Sequence, residues 1–550
     1  MAQTRDLSRR NLLHTVTGTA LGMAAAGHAR AETQDPPASG RKTSTGAANG
    51  EHLGEPYELA GRRIVFTNWY YVRPGSYGYY DAAGRNVRTD GSAGPLEVHL
   101  QGFDSPSGIR LAARPGQRTG PILQPQHPWE NQGISLGTLI QDGGLFRAWG
   151  SGYYESADGI AWKRPELGLV EYHGSRRNNL LPGPTGTVFK DPSAPAAERY
   201  KGVYLQDARP ASWEAYRSRR PGDWQCLALD ADPGRIHAVH GAVSPDGIHW
   251  QTLPEPIVVE HSDTQIVACY DQRLRKYVMY TRNYPLGPRT RKIPYDGFRD
   301  QWAVGPRSIG RSETDDFRNF PVSEVILEPT PEMPPTDMLY TNCRTTVPGG
   351  PDHHLMFPAI WHRSDDTTSI GLLSSHNGKL WNYVPGSPVF ETAEYGQWDG
   401  GCIFTHPNLV ELPDGRWVLP YTGYNFPHKY PRGQLRYGWG YAAWPKGRLV
   451  GLEAPERGEF ATVAFLPPGR KMRINALTRR AGRILVEVVG YHDGKPLPGR
   501  TFADAAPIIG DQHWTPVSWK GQEDLGHNSG TAIFLRFRMD KARIFGLEFA

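Results

Sequence analysis

The chain has 550 residues, enough for more than one domain, and is rich in Gly (63), Pro (48), Trp (16) and Tyr (26). Its formal net charge is +5, of which residues 1–31 contribute +3 through four Arg and one Asp, and this near balance argues against nucleic acid or an anionic membrane as the partner. Four cysteines with no CxxC spacing exclude a disulfide scaffold and predict buried thiols.

The N-terminus has the three parts of a bacterial export signal. Arg9 and Arg10 precede a mildly apolar stretch over residues 15–27, and Ala31 ends a run of small residues suited to cleavage. The stretch is shorter than the roughly 20 apolar residues that a membrane span needs. We expect residues 1–31 to be a twin-arginine signal peptide and the mature protein to be periplasmic or secreted. Residues 32–55 contain almost no large apolar side chains and predict a disordered linker.

A heptapeptide then recurs three times with the same internal spacing. The copies begin at Ser156, Ser244 and Ser375, have Asp-Gly or Asn-Gly at their third and fourth positions, and end in Trp. Asp-Gly and Asn-Gly supply the positive φ angles that a tight hairpin turn requires. Internal repetition of hairpins is typical of a β-propeller.

A second hairpin pattern precedes each heptapeptide, so that each unit contains four short strands, which make one propeller blade. The long gap between the second and third copies holds a degenerate copy over residues 312–317. The spacing fits four or five blades. We predict an all-β fold with a five-bladed β-propeller over residues 56–447.

The C-terminal part changes character. From residue 448 to residue 550, short alternating runs such as Ile484–Val489 and Thr531–Phe537 follow one another at roughly ten-residue spacing. This pattern is typical of an antiparallel sandwich, and we predict a β-sandwich domain here.

Five segments carry a resemblance to known proteins: Pro128–Glu130, Glu155–Leu169, Asp263–Gln265, Leu355–Ala359 and Trp519–Leu525. With the predicted architecture, they resemble secreted bacterial proteins that have an invertase-like N-terminal domain. They are also similar to the propeller glycosidases grouped around the invertases, levanases and inulinases and the arabinanases. The resemblance implies an active site in the central funnel, with carboxylates on the innermost strands of different blades. The invertase motifs Asn-Asp-Pro and Glu-Cys are absent from this sequence.

Glycoside hydrolysis needs a carboxylic acid that protonates the leaving oxygen and a second carboxylate that acts as nucleophile or activates water. Aspartates in hairpin turns are set aside, because such residues bond their own backbone. Glu130, Asp263 and Asp399 remain, since each precedes or opens the first strand of a predicted blade. We predict these three as the catalytic carboxylates, with a capping or surface role as the alternative for each.

Polar and aromatic residues suited to sugar binding lie between these carboxylates. They are Arg344, Asp352, His353, His354, Trp398, His406 and His428. The adjacent histidines have no further ligand at a matching spacing, so we predict no metal and no cofactor. Trp398 suits a stacking platform for a sugar ring, and packing between blades is the alternative.

We therefore expect an exported, exo-acting glycoside hydrolase whose partner is an oligo- or polysaccharide substrate. The alternative is a propeller that binds a glycan or a protein in the same funnel without catalysis. A sialidase is a third hypothesis, because the heptapeptides look like the Asp-box hairpins of sialidases. That activity would need three converging arginines and a Tyr–Glu pair, which the sequence does not indicate.

Overall fold

The computed structural model describes residues 56–80, 99–103, 105–183, 186–208, 215–216, 218–219, 236–260, 262–284 and 306–550. The predicted signal peptide and linker, residues 1–31 and 32–55, lie outside these residues. Within them the fold is all-β, as predicted. Short 3-10 helices lie at Pro128–Glu130, Ala196–Glu198, Arg432–Gln434 and Pro445–Gly447. No helix in the described ranges is long and apolar enough to cross a bilayer.

Over residues 136–444 the strands form six antiparallel sheets, which we number first to fifth, the fourth number standing for two separate sheets whose strands alternate along the chain. The first contains Leu136–Asp142, Leu145–Gly150 and Tyr153–Ser156. The second contains Thr187–Lys190, Tyr200–Ala208, Ile236–Ser244 and Gln251–Thr252. The third contains Val267–Asp271, Lys276–Asn283, Ser308–Thr314 and Glu324–Leu327.

The fourth number covers two separate four-stranded sheets through which the chain passes alternately, and both are called the fourth sheet below. One contains Asp337–Leu339, Ala359–His362, Thr367–Ile370 and Phe390–Glu391, and the other contains Arg344–Val347, Gly350–Met356, Leu373–Ser375 and Asn382–Tyr383. The fifth contains Cys402–Thr405, Val410–Glu411, Trp417–Tyr424 and Tyr437–Trp444, and the early strand Gln117–Thr119 pairs with its last strand.

The three heptapeptides form the same turn, as predicted. In the first copy, Ser156 Oγ accepts a hydrogen bond from the Gly159 amide at 2.8 Å, and Asp158 Oδ1 accepts from the next two amides at 2.8 Å. The copies beginning at Ser244 and Ser375 repeat these bonds at 2.8–2.9 Å. Their glycines have φ angles of 73°, 80° and 68°, which strain any residue with a Cβ.

Each of these turns also forms a hydrogen bond to the sheet numbered before its own. For the turn of the first sheet, the bonded neighbour is the fifth sheet. The bonds run from Trp149 Nε1 to the Gly247 carbonyl at 2.7 Å, from the Tyr280 hydroxyl to the Gly378 carbonyl at 2.9 Å, and from the Tyr441 hydroxyl to the Gly159 carbonyl at 2.9 Å. The last of them joins the fifth sheet to the first. The Leu139 amide, which donates to the Pro407 carbonyl at 2.7 Å, makes a second bond between the same two sheets.

Both ends of the described chain share one eight-stranded sheet, which we call the terminal sheet. Its strands are Tyr57–Glu58, Arg63–Ile64, Arg110–Ala113, Val450–Ala461, Phe465–Leu466, Met472–Gly490, Asp511–Pro516 and Ile533–Phe549. The predicted sandwich region thus supplies five strands, and the remaining three come from the N-terminal part of the range predicted as propeller. A separate hairpin pairs Ser76–Tyr80 with His99–Phe103.

The largest apolar core joins the terminal sheet to the fourth and fifth sheets. It includes Phe357 of the fourth sheet, Trp417 of the fifth and Phe537 of the terminal sheet, all fully buried. Each such side chain contributes roughly 1.5–3 kcal/mol through burial. Buried Arg63 crosses the same junction, bonding Glu548 of the terminal sheet at 2.7 Å and Glu411 of the fifth sheet. The sheets therefore form one continuous unit.

Candidate functional site

A cavity of about 390 Å³ is lined by residues of the five numbered sheets and of the segments next to them. Each sheet contributes to its lining, through Gly137, Thr187, Gln265, Tyr340 and Phe404 in chain order. The volume falls within the roughly 300–1,000 Å³ of small-molecule sites in proteins. The cavity is therefore large enough for a small-molecule ligand.

The lining combines aromatic rings with neutral polar groups. The rings belong to Tyr204, Tyr340, Phe404 and Tyr424, and the polar side chains to Thr187, Thr264, Gln265, Thr341, His406 and His428. None of the described lining residues is Asp or Glu. An aromatic face can pack on the apolar face of a sugar ring while the polar groups bond its hydroxyls, so the lining is chemically suited to carbohydrate.

Gln265 connects three of the sheets beneath the cavity. Its Nε2 donates to the Thr405 carbonyl of the fifth sheet at 2.7 Å, and its Oε1 accepts from the Cys343 amide of the fourth sheet at 2.6 Å. Its own carbonyl accepts from Asn342 Nδ2 at 3.1 Å. The residue directly precedes the third sheet, so it fixes the spacing of three sheets around the cavity.

His428 and Tyr340 form an ionisable pair in the lining. His428 Nε2 lies 2.7 Å from the Tyr340 hydroxyl, and the two rings meet edge to face at 4.6 Å. The Arg307 guanidinium lies 4.4 Å from the centre of the Tyr340 ring, and Lys429 Nζ lies 5.8 Å from it. This hydrogen-bonded pair therefore lies next to two positive charges.

His406 also lies in the lining, but its environment is different. Burial lowers the pKa of His406 to about 3, so the imidazole is neutral at pH 7. Its Nε2 lies 2.8 Å from Thr422 Oγ1. A neutral imidazole in this position can bond a hydroxyl group without adding charge to the cavity.

Asp263 is the predicted carboxylate that lies beside the cavity. It directly precedes the lining residue Thr264, and its side chain is 36% exposed. It forms an ion pair with Arg282, which is fully buried and whose amide donates to Ser262 Oγ at 3.0 Å. Thr264 Oγ1 is buried and makes no hydrogen bond among the described residues. The edge of the cavity therefore offers an ion-paired carboxylate and a hydroxyl that a ligand can bond.

A further carboxyl group, that of Glu260, precedes Asp263 by three residues. Burial raises its pKa, which favours the protonated form. Thr281 Oγ1 donates to one of its oxygens at 2.6 Å, and the Ser323 amide donates to the other at 2.9 Å. Both oxygens are thus engaged inside the protein, and Glu260 is not a lining residue.

Glu130 is held in a buried ion pair outside the cavity lining. Arg164 Nε donates to it at 2.8 Å, the Gln126 amide at 2.9 Å and the Tyr154 hydroxyl at 3.2 Å. Burial alone would raise the pKa of Glu130, but the hydrogen bonds from Arg164 and Gln126 outweigh it and lower the pKa below its usual value. This carboxylate therefore stabilises the segment before the first sheet.

Asp399 and Trp398 are likewise engaged inside the protein. Asp399 is fully buried, and its Oδ2 accepts from Arg118 Nε at 2.6 Å and from the Tyr421 hydroxyl at 2.7 Å. Trp398 stacks on Tyr421 with ring centres 5.6 Å apart. Neither residue is among those that line the cavity.

Arg344 and His354 pair with each other inside the fourth sheet. Arg344 Nη2 lies 2.7 Å from His354 Nδ1, and both side chains are buried. Burial, with the nearby Arg344 charge, lowers the pKa of His354 to about 2. The imidazole is therefore neutral and accepts the guanidinium hydrogen bond.

Asp352 and His353 attach the N-terminal segment to the fourth sheet. Asp352 accepts from Arg273 Nη1 at 2.8 Å and from the Ala60 amide at 2.7 Å. His353 Nε2 lies 3.2 Å from the Arg63 carbonyl, and burial lowers the pKa of His353 to about 4. Among the described residues, no three His, Cys, Asp or Glu side chains are grouped to hold a metal ion.

The sequence interpretation missed most of the cavity lining, including Tyr204, Thr264, Tyr340 and Tyr424, as well as the neighbouring Arg282. Each lining residue comes from a different local context, and no spacing pattern connects them. The segment Asp263–Gln265 was selected through the resemblance, and it contains both the carboxylate beside the cavity and the glutamine that joins three sheets.

No family model and no curated protein sequence matches the chain. It is similar to solved structures at low identity. The catalytic domain of a Coprinopsis cinerea GH62 α-L-arabinofuranosidase is 12% identical over 60% of this chain and 97% of that one, with a TM-score of 0.37. An exo-inulinase from Aspergillus awamori is 12% identical over 80% of this chain and 99% of that one, with a TM-score of 0.32.

An N-acetylgalactosamine deacetylase from F. plautii, solved with blood group B trisaccharide, is 12% identical over 62% of this chain and 96% of that one, with a TM-score of 0.36. All three TM-scores are below 0.5, so the similarity does not by itself assign an activity to this chain.

Proposed function

We propose that this protein is an exo-acting glycoside hydrolase that holds the end of an oligo- or polysaccharide chain in the cavity between the five sheets. In this proposal the sheets are the blades of a five-bladed propeller and the cavity lies on its axis. The observation that carries the proposal is the lining, in which aromatic faces alternate with neutral hydrogen-bonding groups. A volume of about 390 Å³ suits a chain end better than an extended polymer.

The proposed chemistry assigns Asp263 as the carboxylate and the His428–Tyr340 pair as the proton donor. Asp263 forms an ion pair with Arg282, and a nucleophile or general base must be an ionised carboxylate. The imidazole and hydroxyl of the pair are 2.7 Å apart, so a proton lost to the leaving oxygen can be replaced from the neighbouring group. This assignment differs from the three predicted carboxylates, because the buried carboxylates of Glu130 and Asp399 are each bonded to an arginine inside the protein.

The alternative is a non-catalytic propeller that binds a glycan or a protein in the same cavity. The absence of Asp and Glu from the described lining favours it, because hydrolysis normally needs two carboxyl groups at the site. The two functions are separated by their products. A hydrolase releases sugar from aryl glycosides or from plant, algal or bacterial polysaccharides, whereas a glycan binder gives saturable binding with no release. If the protein neither releases nor binds any sugar, the hydrolase and the glycan binder are both contradicted and only the protein binder is left.

The Thr264→Val variant tests whether the cavity is the ligand site. Val has nearly the same shape but no hydroxyl, so we expect sugar affinity to fall about fivefold to tenfold, the effect of one hydrogen bond. Calorimetric titration with the sugar found in the screen measures this change. Thr252→Val, at an exposed position of the second sheet, is the matched control and should bind as wild type does. Equal affinity in all three proteins would move the ligand site elsewhere.

We also propose that the protein is exported through the twin-arginine route and works in the periplasm or outside the cell. Twin-arginine export requires the arginine pair of the signal. Changing Arg9 and Arg10 together to Lys should leave the protein in the cytoplasm, as measured by cell fractionation and immunoblotting. Unchanged export of this variant would contradict the proposal.

A further inference from the structure

Three neighbouring strands of the terminal sheet are irregular at the same level. Its central strand, Ile533–Phe549, contains Lys541, which has a φ of 45°. Opposite this residue both neighbouring strands lose their register, one after Ala454 and the other after Thr478. Bulges of this kind turn side chains out of the regular ladder, so residues from three strands converge at this level.

A second cavity, of about 100 Å³, lies at this point, and its charged lining is mostly basic. Arg110, Arg479, Lys541 and Arg543 line it together with a single carboxylate, Glu453. Four formal positive charges therefore face one negative charge. The cavity belongs to the terminal sheet, and none of its lining residues is shared with the cavity between the five sheets.

The single carboxylate is already bonded to two of the cations. Glu453 Oε1 pairs with Arg543 Nε at 2.6 Å, and Oε2 pairs with Arg110 Nη2 at 3.2 Å. Lys541 lies 3.5 Å from Glu456, which is 80% exposed, and a pair so exposed to water neutralises little of the charge. Arg479 has no ion-pair partner among the described residues. The cavity therefore keeps a net positive charge.

One of the lining cations, Arg543, also acts on a neighbouring arginine. The pKa of Arg114 is lowered, first by its burial and then by repulsion from Arg543 and Arg448. This effect agrees with the local excess of positive charge.

The volume of the cavity also limits what it can hold. At about 30 Å³ per water, it has room for roughly three waters or one small oxyanion.

We infer that this cavity is an anion site that takes a sulfate or carboxylate group carried by a glycan. Arginine guanidinium groups suit such oxyanions, because their N–H groups match the two oxygens of the anion. The anion site follows from the lining alone, whereas the glycan as its carrier rests on the proposed function. In this arrangement the terminal sheet holds an anionic polysaccharide while the cavity between the five sheets receives a chain end.

Affinity electrophoresis of the whole protein in gels containing dextran or dextran sulfate tests the inference. We expect dextran sulfate to retard the wild type, dextran not to, and added salt to weaken the retardation. The Arg479→Gln variant should bind dextran sulfate about tenfold more weakly, because it loses charge-assisted hydrogen bonds. The matched control is Arg457→Gln, which removes one positive charge from an exposed arginine that is paired with Asp540 on the same sheet.

Equal weakening by Arg479→Gln and Arg457→Gln would overturn the site, because only overall charge would then matter. Equal retardation by dextran and dextran sulfate would overturn it as well. Binding of inorganic sulfate in calorimetry without binding of dextran sulfate would overturn the glycan as carrier. The Arg479→Gln variant should release sugar from an uncharged aryl glycoside as the wild type does, so failure of the proposed activity and failure of this inference give different results. Thermal melting confirms that each variant is folded.

Discussion

The Asp263→Asn variant is expected to hydrolyse its substrate with a kcat/KM about 10²–10⁴-fold lower than that of the wild type. The amide has the same shape as the carboxylate but is a poor nucleophile and base, so the chemical step is lost. The affinity of the variant for the same sugar should stay within about threefold of the wild-type affinity. The reason is that the expected loss is in stabilisation of the transition state rather than of the bound ground state. Initial rates of aryl release and calorimetric titration measure the two effects separately.

Asn at position 263 keeps an oxygen that can accept a hydrogen bond from the Arg282 guanidinium. Thermal melting checks that the variant folds. The matched control is Asp414→Asn, which makes the same change at an exposed turn position of the fifth sheet. The control should keep wild-type activity. Full activity of Asp263→Asn would remove this carboxylate from the chemistry and leave the cavity as a binding site.

The Arg164→Met variant is expected to lower the free energy of unfolding by about 3–5 kcal/mol at pH 7. Methionine replaces most of the apolar volume of arginine but leaves the Glu130 carboxylate buried without its charged partner. Urea denaturation at pH 7 measures the loss. The double variant Glu130→Gln/Arg164→Met should be more stable than Arg164→Met alone, because it buries no unpaired charge. A double variant no more stable than the single one would contradict this account.

The same pair predicts how stability depends on pH. The pKa of Glu130 is lowered in the folded protein, below the ordinary value of 4.5. Its contribution to stability is therefore fully present above about pH 4.5 and is lost as the pH falls through the lowered folded value. In Arg164→Met the burial of Glu130 is no longer offset by the guanidinium, so protonation now favours the folded state. The stability difference between wild type and Arg164→Met should therefore shrink as the pH falls from 7 to about 4.

Local sequence signals were sufficient for the hairpins. In the heptapeptide beginning at Ser156, one hydroxyl, one carboxylate and one glycine determine the turn, and all lie within four residues. The same local information is present at Ser244 and Ser375, so the three turns and the all-β class could be predicted. The bond from the Tyr441 hydroxyl to the Gly159 carbonyl has no such signal, because its partners are 282 residues apart.

The candidate site was harder to predict because burial and pairing decide the role of a carboxylate. Asp399 precedes a strand, as a catalytic residue would, but Arg118 lies 281 residues earlier in the chain and bonds it in the interior. Glu130 is bonded in the same way to Arg164. Nothing in the residues next to either carboxylate indicates these partners. Asp263 also has an arginine partner, but it remains partly exposed beside a cavity, which only the tertiary structure reveals.

Strand pairing in the terminal sheet constrains the order in which this protein can fold during its synthesis. Tyr57–Glu58 pairs with Phe465–Leu466, which leaves the ribosome about 400 residues later, and Ile64 pairs with Leu547, three residues before the end of the printed sequence. At about 5–20 residues per second, the earliest strand waits roughly 20–80 s for its neighbour to be synthesised. The sheet can therefore be completed only after residue 547 has been synthesised, and until then its first strands lack these partners.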